Sequence, residues 1–185
     1  MDTLTRSAAT TTTDTFPIKG TDHLELYVGN AKQSALYYQA ALGFEWVAYL
    51  GPETGVRDRV SYVLQQDKVR IVLTSSLLPD TEIAQHVQRH GDGVKVLALW
   101  VDNAEHAYYT ALERGAESAF APKTLRDEYG EVVVAAVKTY GDTIHTLVER
   151  SQYGGPFLPG YEARKSVYPV KSVGLKHVDH CVGNV

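Results

Sequence analysis

Hydrophobic and polar positions change period several times along the chain, and the changes come twice in the same order. Leu24-Glu25-Leu26-Tyr27-Val28 reads as a short strand, Gly29 ends it, and the Asn30 side chain can accept from the free N–H groups of a starting helix. Ala31, Ala35, Tyr38 and Leu42 then fall at spacings of four, three and four, one apolar stripe suited to packing on a sheet, and Gly43 supplies a left-handed stop. After it the period shortens to two. Residues 44–49, 59–64 and 69–74 read as strands, separated by the Gly51-Pro52-Glu53-Thr54-Gly55 loop and the Gln65-Gln66-Asp67 turn. Connections this short cannot carry a parallel crossover, so the three strands are predicted to be antiparallel. The result is a β-α-β-β-β module.

Pro79-Asp80 opens a short connecting helix with Ile83 and Val87 on its inner side and Gly91 at its end. A second module follows. It has a strand over 94–101, a cap at Asp102-Asn103, a helix striped by Ala104, Ala107, Tyr108, Ala111 and Leu112, a stop at Gly115, and strands around 117–120, 131–137 and 143–149. Val28-Gly29-Asn30-Ala31 returns as Val101-Asp102-Asn103-Ala104, and Tyr37-Tyr38 as Tyr108-Tyr109. A repeat of about 70 residues is too long for a solenoid unit and reads as a duplicated half-domain. Pairing the halves covers apolar faces that neither buries alone and leaves a concave sheet surface between them. The predicted fold class is α+β, two tandem β-α-β-β-β modules within residues 16–150.

Three segments fall outside this repeat. Residues 1–15 are rich in Thr and Ala and read as a disordered tail, without the basic start or apolar centre of a secretory signal. Residues 151–175 read as a crossing linker, since the glycines and prolines of Tyr153-Gly154-Gly155-Pro156-Phe157-Leu158-Pro159-Gly160-Tyr161 exclude helix and central strand, while Phe157, Leu158 and Tyr161 pin it to a surface. Residues 176–185 read as the truncated first strand of a further module, because Asp179-His180 leads into an apolar strand as Asp22-His23 does near the start. Strand alternation puts His180, Val182 and Asn184 on one face and Cys181, Gly183 and Val185 on the other, which makes His180 the candidate metal ligand.

Composition narrows the function. With 44% hydrophobic and 22% charged residues the chain is an ordinary soluble protein, and a net charge of −4 offers no basic field for nucleic acid. No apolar run approaches the roughly 20 residues that span a bilayer, so no membrane association is expected. The lone Cys181 forms no internal disulfide, which fits a reducing, cytoplasmic setting.

Each candidate side chain also has a plain structural reading. His23 heads a strand and reads as a hydrogen-bonded core or cavity histidine. His86 and His90 have a zinc-binding spacing but no third ligand in sequence, and read as a solvated helix end. His145 reads as a hydrogen-bonded strand histidine, His177 as solvent-facing, and Cys181 as a small buried apolar residue. Arg126, Asp127, Glu128 and Glu131 read as a polar turn before a strand. Tyr27, Tyr37, Tyr38, Tyr108 and Tyr109 read as core rather than as a ligand cup.

Paired β-α-β-β-β modules with a histidine heading the first strand resemble the vicinal-oxygen-chelate superfamily of glyoxalases and extradiol dioxygenases. Four phrases are more specific: His90-Gly91-Asp92-Gly93-Val94, Tyr140-Gly141-Asp142-Thr143-Ile144-His145-Thr146-Leu147-Val148-Glu149-Arg150, Gly155-Pro156-Phe157-Leu158-Pro159-Gly160-Tyr161 and Asp179-His180-Cys181-Val182-Gly183-Asn184-Val185. Together, and in this order, they look like the 4-hydroxyphenylpyruvate dioxygenases of bacterial type, over residues 16–185.

That resemblance implies a non-catalytic N-terminal domain followed by the opening strand of a catalytic one. It implies Fe(II) held by two histidines and a glutamate in the facial arrangement of non-haem oxygenases. The small aromatic 2-oxo acid 4-hydroxyphenylpyruvate and O2 would react to give homogentisate and CO2 in tyrosine catabolism. The intact enzyme would be cytoplasmic and a homo-oligomer. Of the three ligands only His180 matches a position here, and the other two would lie beyond Val185. In the first two modules the ligand positions fall on His23, near Val96 and near Thr146, which is no metal site, so the fragment alone is expected to be inactive. The alternatives are a non-catalytic two-module protein that sequesters a small hydrophobic or aromatic ligand, and a hydroxymandelate synthase. The Asp179-His180 strand counts against the first and the phrase at 155–161 against the second.

Overall fold

The computed structural model describes residues 15–183. Residues 1–14 of the expected tail, together with Asn184 and Val185, lie outside the described residues. Nine strands form one mixed sheet: β1 (Ile18–Tyr27), β2 (Glu45–Leu50), β3 (Arg59–Gln66), β4 (Val69–Ser76), β5 (Gly93–Val101), β6 (Ser118–Asp127), β7 (Gly130–Lys138), β8 (Ile144–Glu149) and β9 (Glu162–Ala163). Their order is β6-β7-β8-β5-β1-β4-β3-β2-β9. Helices α1 (Ala31–Leu42), α2 (Glu82–His90) and α3 (Ala104–Glu113) interrupt them.

The repeat read from the sequence is present in the connectivity. β1 lies parallel to β4, and β4, β3 and β2 are antiparallel in succession. β5 lies parallel to β8, and β8, β7 and β6 are antiparallel in succession. The halves meet where β1 and β5 pair antiparallel. Both principal helices start the same way: Asn30 accepts from the Gln33 N–H and Asn103 from the His106 N–H, each satisfying one otherwise unpartnered donor of the first turn. Gly43 ends α1 at φ 69°, and a Cβ there would come within 2.0 Å of the Lys171 carbonyl, so the left-handed turn and the close approach of chain both demand glycine.

Alternation along the strands sorts the core onto two faces. On one, α1 packs Ala31 and Ala35 against Leu64, Ile71 and Leu73, and α3 packs Ala104, Ala107 and Tyr108 against Ala135 and Leu147. The face opposite α1 and α3 carries Ala48, Val63 and Val72 from the first half and Val96, Ala98, Val132, Val134 and Val148 from the second. Phe157 from the crossing segment seats on that face at 1% exposure, with Leu158 and Tyr161 partly buried beside it. Burying one such ring contributes about 1.5–3 kcal/mol, enough to hold a segment with little regular structure of its own.

Several sequence expectations are corrected. β6 runs on to Asp127, because it is an edge strand and a register shift between Phe120 and Lys123 accommodates Pro122, which has no N–H to pair. The expected polar turn is thus the end of that strand and its hairpin into β7, with Arg126 donating to Glu131 at 2.8 Å. β1 begins at Ile18, since the polar residues before Leu24 pair with the far end of β5. His86 is buried, not solvated, its ring edge-on to Tyr27 with centroids 5.4 Å apart. Cys181 is exposed rather than buried, and residues 176–183 carry no regular secondary structure in this chain.

Candidate functional site

A buried polar cluster lies on the face opposite α1 and α3, where β1 bulges. Thr21 opposes Leu99 and His23 opposes Ala98, so Asp22 is the extra residue and both it and His23 are buried. Asp22 Oδ1 accepts from His23 Nδ1 at 2.7 Å. Arg150, just past the end of β8, donates to the same carboxylate through Nε at 2.5 Å and Nη2 at 2.7 Å. Its remaining arm, Nη1, donates to the Phe157 carbonyl at 2.7 Å. Arg70 on β4 lies 3.9 Å from Asp22 and places its guanidinium 5.6 Å from the Phe157 ring centroid. The His23 ring meets that ring edge-on at 5.0 Å.

Burial alone would raise the Asp22 pKa, but the hydrogen bonds and charges of His23 and Arg150 outweigh it and hold the carboxyl well below the usual carboxylate range. The cluster is therefore an ionised carboxylate shared between a guanidinium and an imidazole, capped by an aromatic ring. All three nitrogens of Arg150 are used, two on Asp22 and one on the Phe157 carbonyl, so the arrangement suits a clamp that closes the crossing segment over the sheet.

Chemistry expected at the ligand positions of the first two modules can be compared with this geometry. His23 opposes Ala98, which opposes Thr146, and Val96 lies two residues along the same face. This row offers one imidazole, hydrogen-bonded through Nδ1, a hydrocarbon and a hydroxyl. Such a donor set does not fit Fe(II), which takes histidine and carboxylate donors in a facial set. Among the described residues no three His, Cys, Asp or Glu side chains converge into a metal-holding group.

His180 is exposed, its Nδ1 2.5 Å from Asp179 Oδ2, and is brought together with no other expected ligand. His90 does acquire an acidic neighbour, Asp142 at 2.8 Å, but Arg89 donates to the same oxygen and Lys95 to the Asp142 carbonyl, so the group is an ion-pair cluster. His145 faces the Leu97 carbonyl at 3.3 Å, as a hydrogen-bonded strand histidine does. Of the tyrosines, Tyr27 and Tyr108 are buried, whereas Tyr37 and Tyr109 are exposed. Asp22, Arg70 and Arg150 were not singled out by sequence reasoning. The available signal was Asp22 beside a strand-heading histidine, an acid that, once buried, demands a cation.

Comparison with known proteins assigns the family. The family model described as "Hydroxyphenylpyruvate dioxygenase, HPPD, N-terminal" matches residues 14–171. The chain belongs to the hydroxyphenylpyruvate dioxygenase N-terminal family. The 4-hydroxyphenylpyruvate dioxygenase of Aspergillus fumigatus is 44% identical, covering 90% of this chain and 46% of that protein. Those of Yarrowia lipolytica and Dictyostelium discoideum are each 42% identical over 90% of the chain. The chain thus spans about half the length of these hydroxyphenylpyruvate dioxygenases.

Among solved structures, a variant of 4-hydroxymandelate synthase from Streptomyces coelicolor superposes with a TM-score of 0.70 at 31% identity, covering 87% of this chain and 45% of that one. Methylmalonyl-CoA epimerase from Mycobacterium tuberculosis superposes at 0.58 and 17% identity over 75% of this chain and 92% of that one, which shows the shared vicinal-oxygen-chelate fold alone. Among the described residues no helix is long and apolar enough to cross a membrane.

Proposed function

We propose that this chain is the N-terminal, scaffold half of a non-haem Fe(II) dioxygenase that converts 4-hydroxyphenylpyruvate and O2 to homogentisate and CO2. The observation that carries the reading is 44% identity to a named 4-hydroxyphenylpyruvate dioxygenase across 90% of the chain, joined to a sheet face opposite α1 and α3 whose donor set does not fit iron. In this reading residues 16–150 are the scaffold domain, 151–175 the crossing linker, and 176–185 the opening of the catalytic half. His180 would be one of three iron ligands in the intact enzyme, with a second histidine and a glutamate supplied by the part of the relatives this chain does not cover. Iron bound there would supply the dioxygen chemistry. The residues of this chain contribute the clamp of Asp22, His23 and Arg150, which fixes the course of the linker towards that half.

Metal uptake tests the reading. Dialysis of the chain against Fe(II) or Zn(II), followed by elemental analysis, is expected to leave substoichiometric metal. Stoichiometric metal lost on His23→Ala but retained on His180→Ala would overturn the scaffold assignment.

A further inference from the structure

One sizeable cavity among the described residues belongs to none of the chemistry above. It opens on the helix side of the sheet, between α1, strands β2 and β3, and the chain just after β9, with a volume of about 600 Å³. That size lies within the range of about 300–1,000 Å³ typical of small-ligand sites. Its inner wall is aromatic. Trp46 lies 5.1 Å from Tyr62 and 6.0 Å from Tyr49, centroid to centroid, and those two tyrosines are 5.3 Å apart. Tyr168 adds a fourth ring at the rim.

The outer wall is tied down rather than loosely draped. The Arg164 N–H donates to the Val47 carbonyl at 3.0 Å, and the Trp46 N–H donates to Ser166 Oγ at 2.9 Å. β9 pairs Glu162 with Tyr49 one turn of chain earlier. The cavity is therefore a built feature of the fold.

Charge selects its occupant. Two cations line it, Lys32 from α1 and Arg164 from the outer wall, the latter also paired with the exposed Glu162 at 2.8 Å. Among the described residues Lys32 takes part in no salt bridge, so its ammonium can turn to a ligand. The one lining acid, Glu53, is exposed and ionised, with one carboxylate oxygen accepting from the Tyr49 hydroxyl at 2.5 Å. Arg164 already places its guanidinium 5.6 Å from the Tyr49 ring centroid, so a ligand ammonium seated on that face would meet like charge. Rings that stack a ring, with a cation at the mouth, suit an anion. We propose that this cavity binds a small aromatic carboxylate, a single ring held against Trp46 and Tyr62 with its acidic arm reaching Lys32 and Arg164.

The test is a titration of the ¹⁵N-labelled full chain with 3-phenylpropionate, read at the two tryptophan indole N–H resonances. Trp46 is the reporter because its Nε1 donates to the Ala48 carbonyl at 2.8 Å and so has a fixed environment, and Trp100 is the internal control. The acid should shift Trp46 saturably and leave Trp100 in place. 2-Phenylethanol and 2-phenylethylammonium should each bind at least about tenfold more weakly, the loss of one charge-assisted hydrogen bond worth about 1.4 kcal/mol. Lys32→Gln, an exposed substitution that spares the wall, should weaken the acid, and adding Arg164→Gln should weaken it further. No saturable shift, equal binding of acid and alcohol, tighter binding of the amine, or wild-type affinity in Lys32→Gln would each overturn the proposal.

Discussion

Arg150 and Asp22, 128 positions apart in the chain, form a two-pronged ion pair at the junction of the two modules, with N–O distances of 2.5 and 2.7 Å. The pair joins the start of the first module to the end of the second, and through Nη1 it also holds the Phe157 carbonyl. Breaking a buried pair by removing one partner costs about 3–5 kcal/mol, because the other charge is left without compensation.

Asp22→Asn should therefore destabilise the chain by about 3 kcal/mol at neutral pH. The pH dependence has a definite sign. The folded carboxyl is depressed, so its contribution is complete above the unfolded carboxylate value of about 3.9 and is lost as pH falls towards the folded value. Urea denaturation between neutral pH and pH 3 should show wild-type stability falling below about pH 4 more steeply than that of Asp22→Asn. Parallel pH profiles would remove Asp22 as the source.

Phe157→Ala should cost about 3–5 kcal/mol, the usual range for truncating a buried ring. It should also loosen residues 155–161 while the sheet stays intact. Amide hydrogen exchange checks this: faster exchange is expected in the crossing segment and unchanged protection in β5 and β8. Loss of protection throughout the sheet would mean that the ring supports the modules themselves.

Asn30→Ala and Asn103→Ala should each cost about 1 kcal/mol, and the double variant should cost their sum, since the two caps serve different helices and share no partner. Thermal or urea unfolding of the three variants measures it, and a markedly unequal pair would contradict the equivalence of the modules.

Much of this fold was legible because local signals and tertiary structure agree. Asn30 and Asn103 cap, Gly43 stops, and the apolar stripes of α1 and α3 lie where the periodicity puts them. Those features depend on neighbours in sequence. What was not legible depends on distant partners. Nothing near Pro122 shows that it sits on an edge strand where its missing N–H is harmless. Nothing near Arg150 shows that it reaches Asp22, and nothing near His86 shows that Tyr27 covers it. The candidate ligand His180 could be named only from the phrase around it, because among the described residues no other expected ligand lies near it. The aromatic cavity escaped for a similar reason: Trp46, Tyr49 and Tyr62 lie on two strands, and Arg164 and Tyr168 reach them from the far end of the chain.

The central proposal is that this chain scaffolds and does not catalyse. Oxygen consumption by the purified 185-residue chain with Fe(II), ascorbate and 4-hydroxyphenylpyruvate tests it most directly. The chain alone should consume no oxygen above the substrate-free rate, and a version extended with the catalytic half of a relative should turn over and lose that activity on His180→Ala. Homogentisate formed by the chain alone would contradict the account.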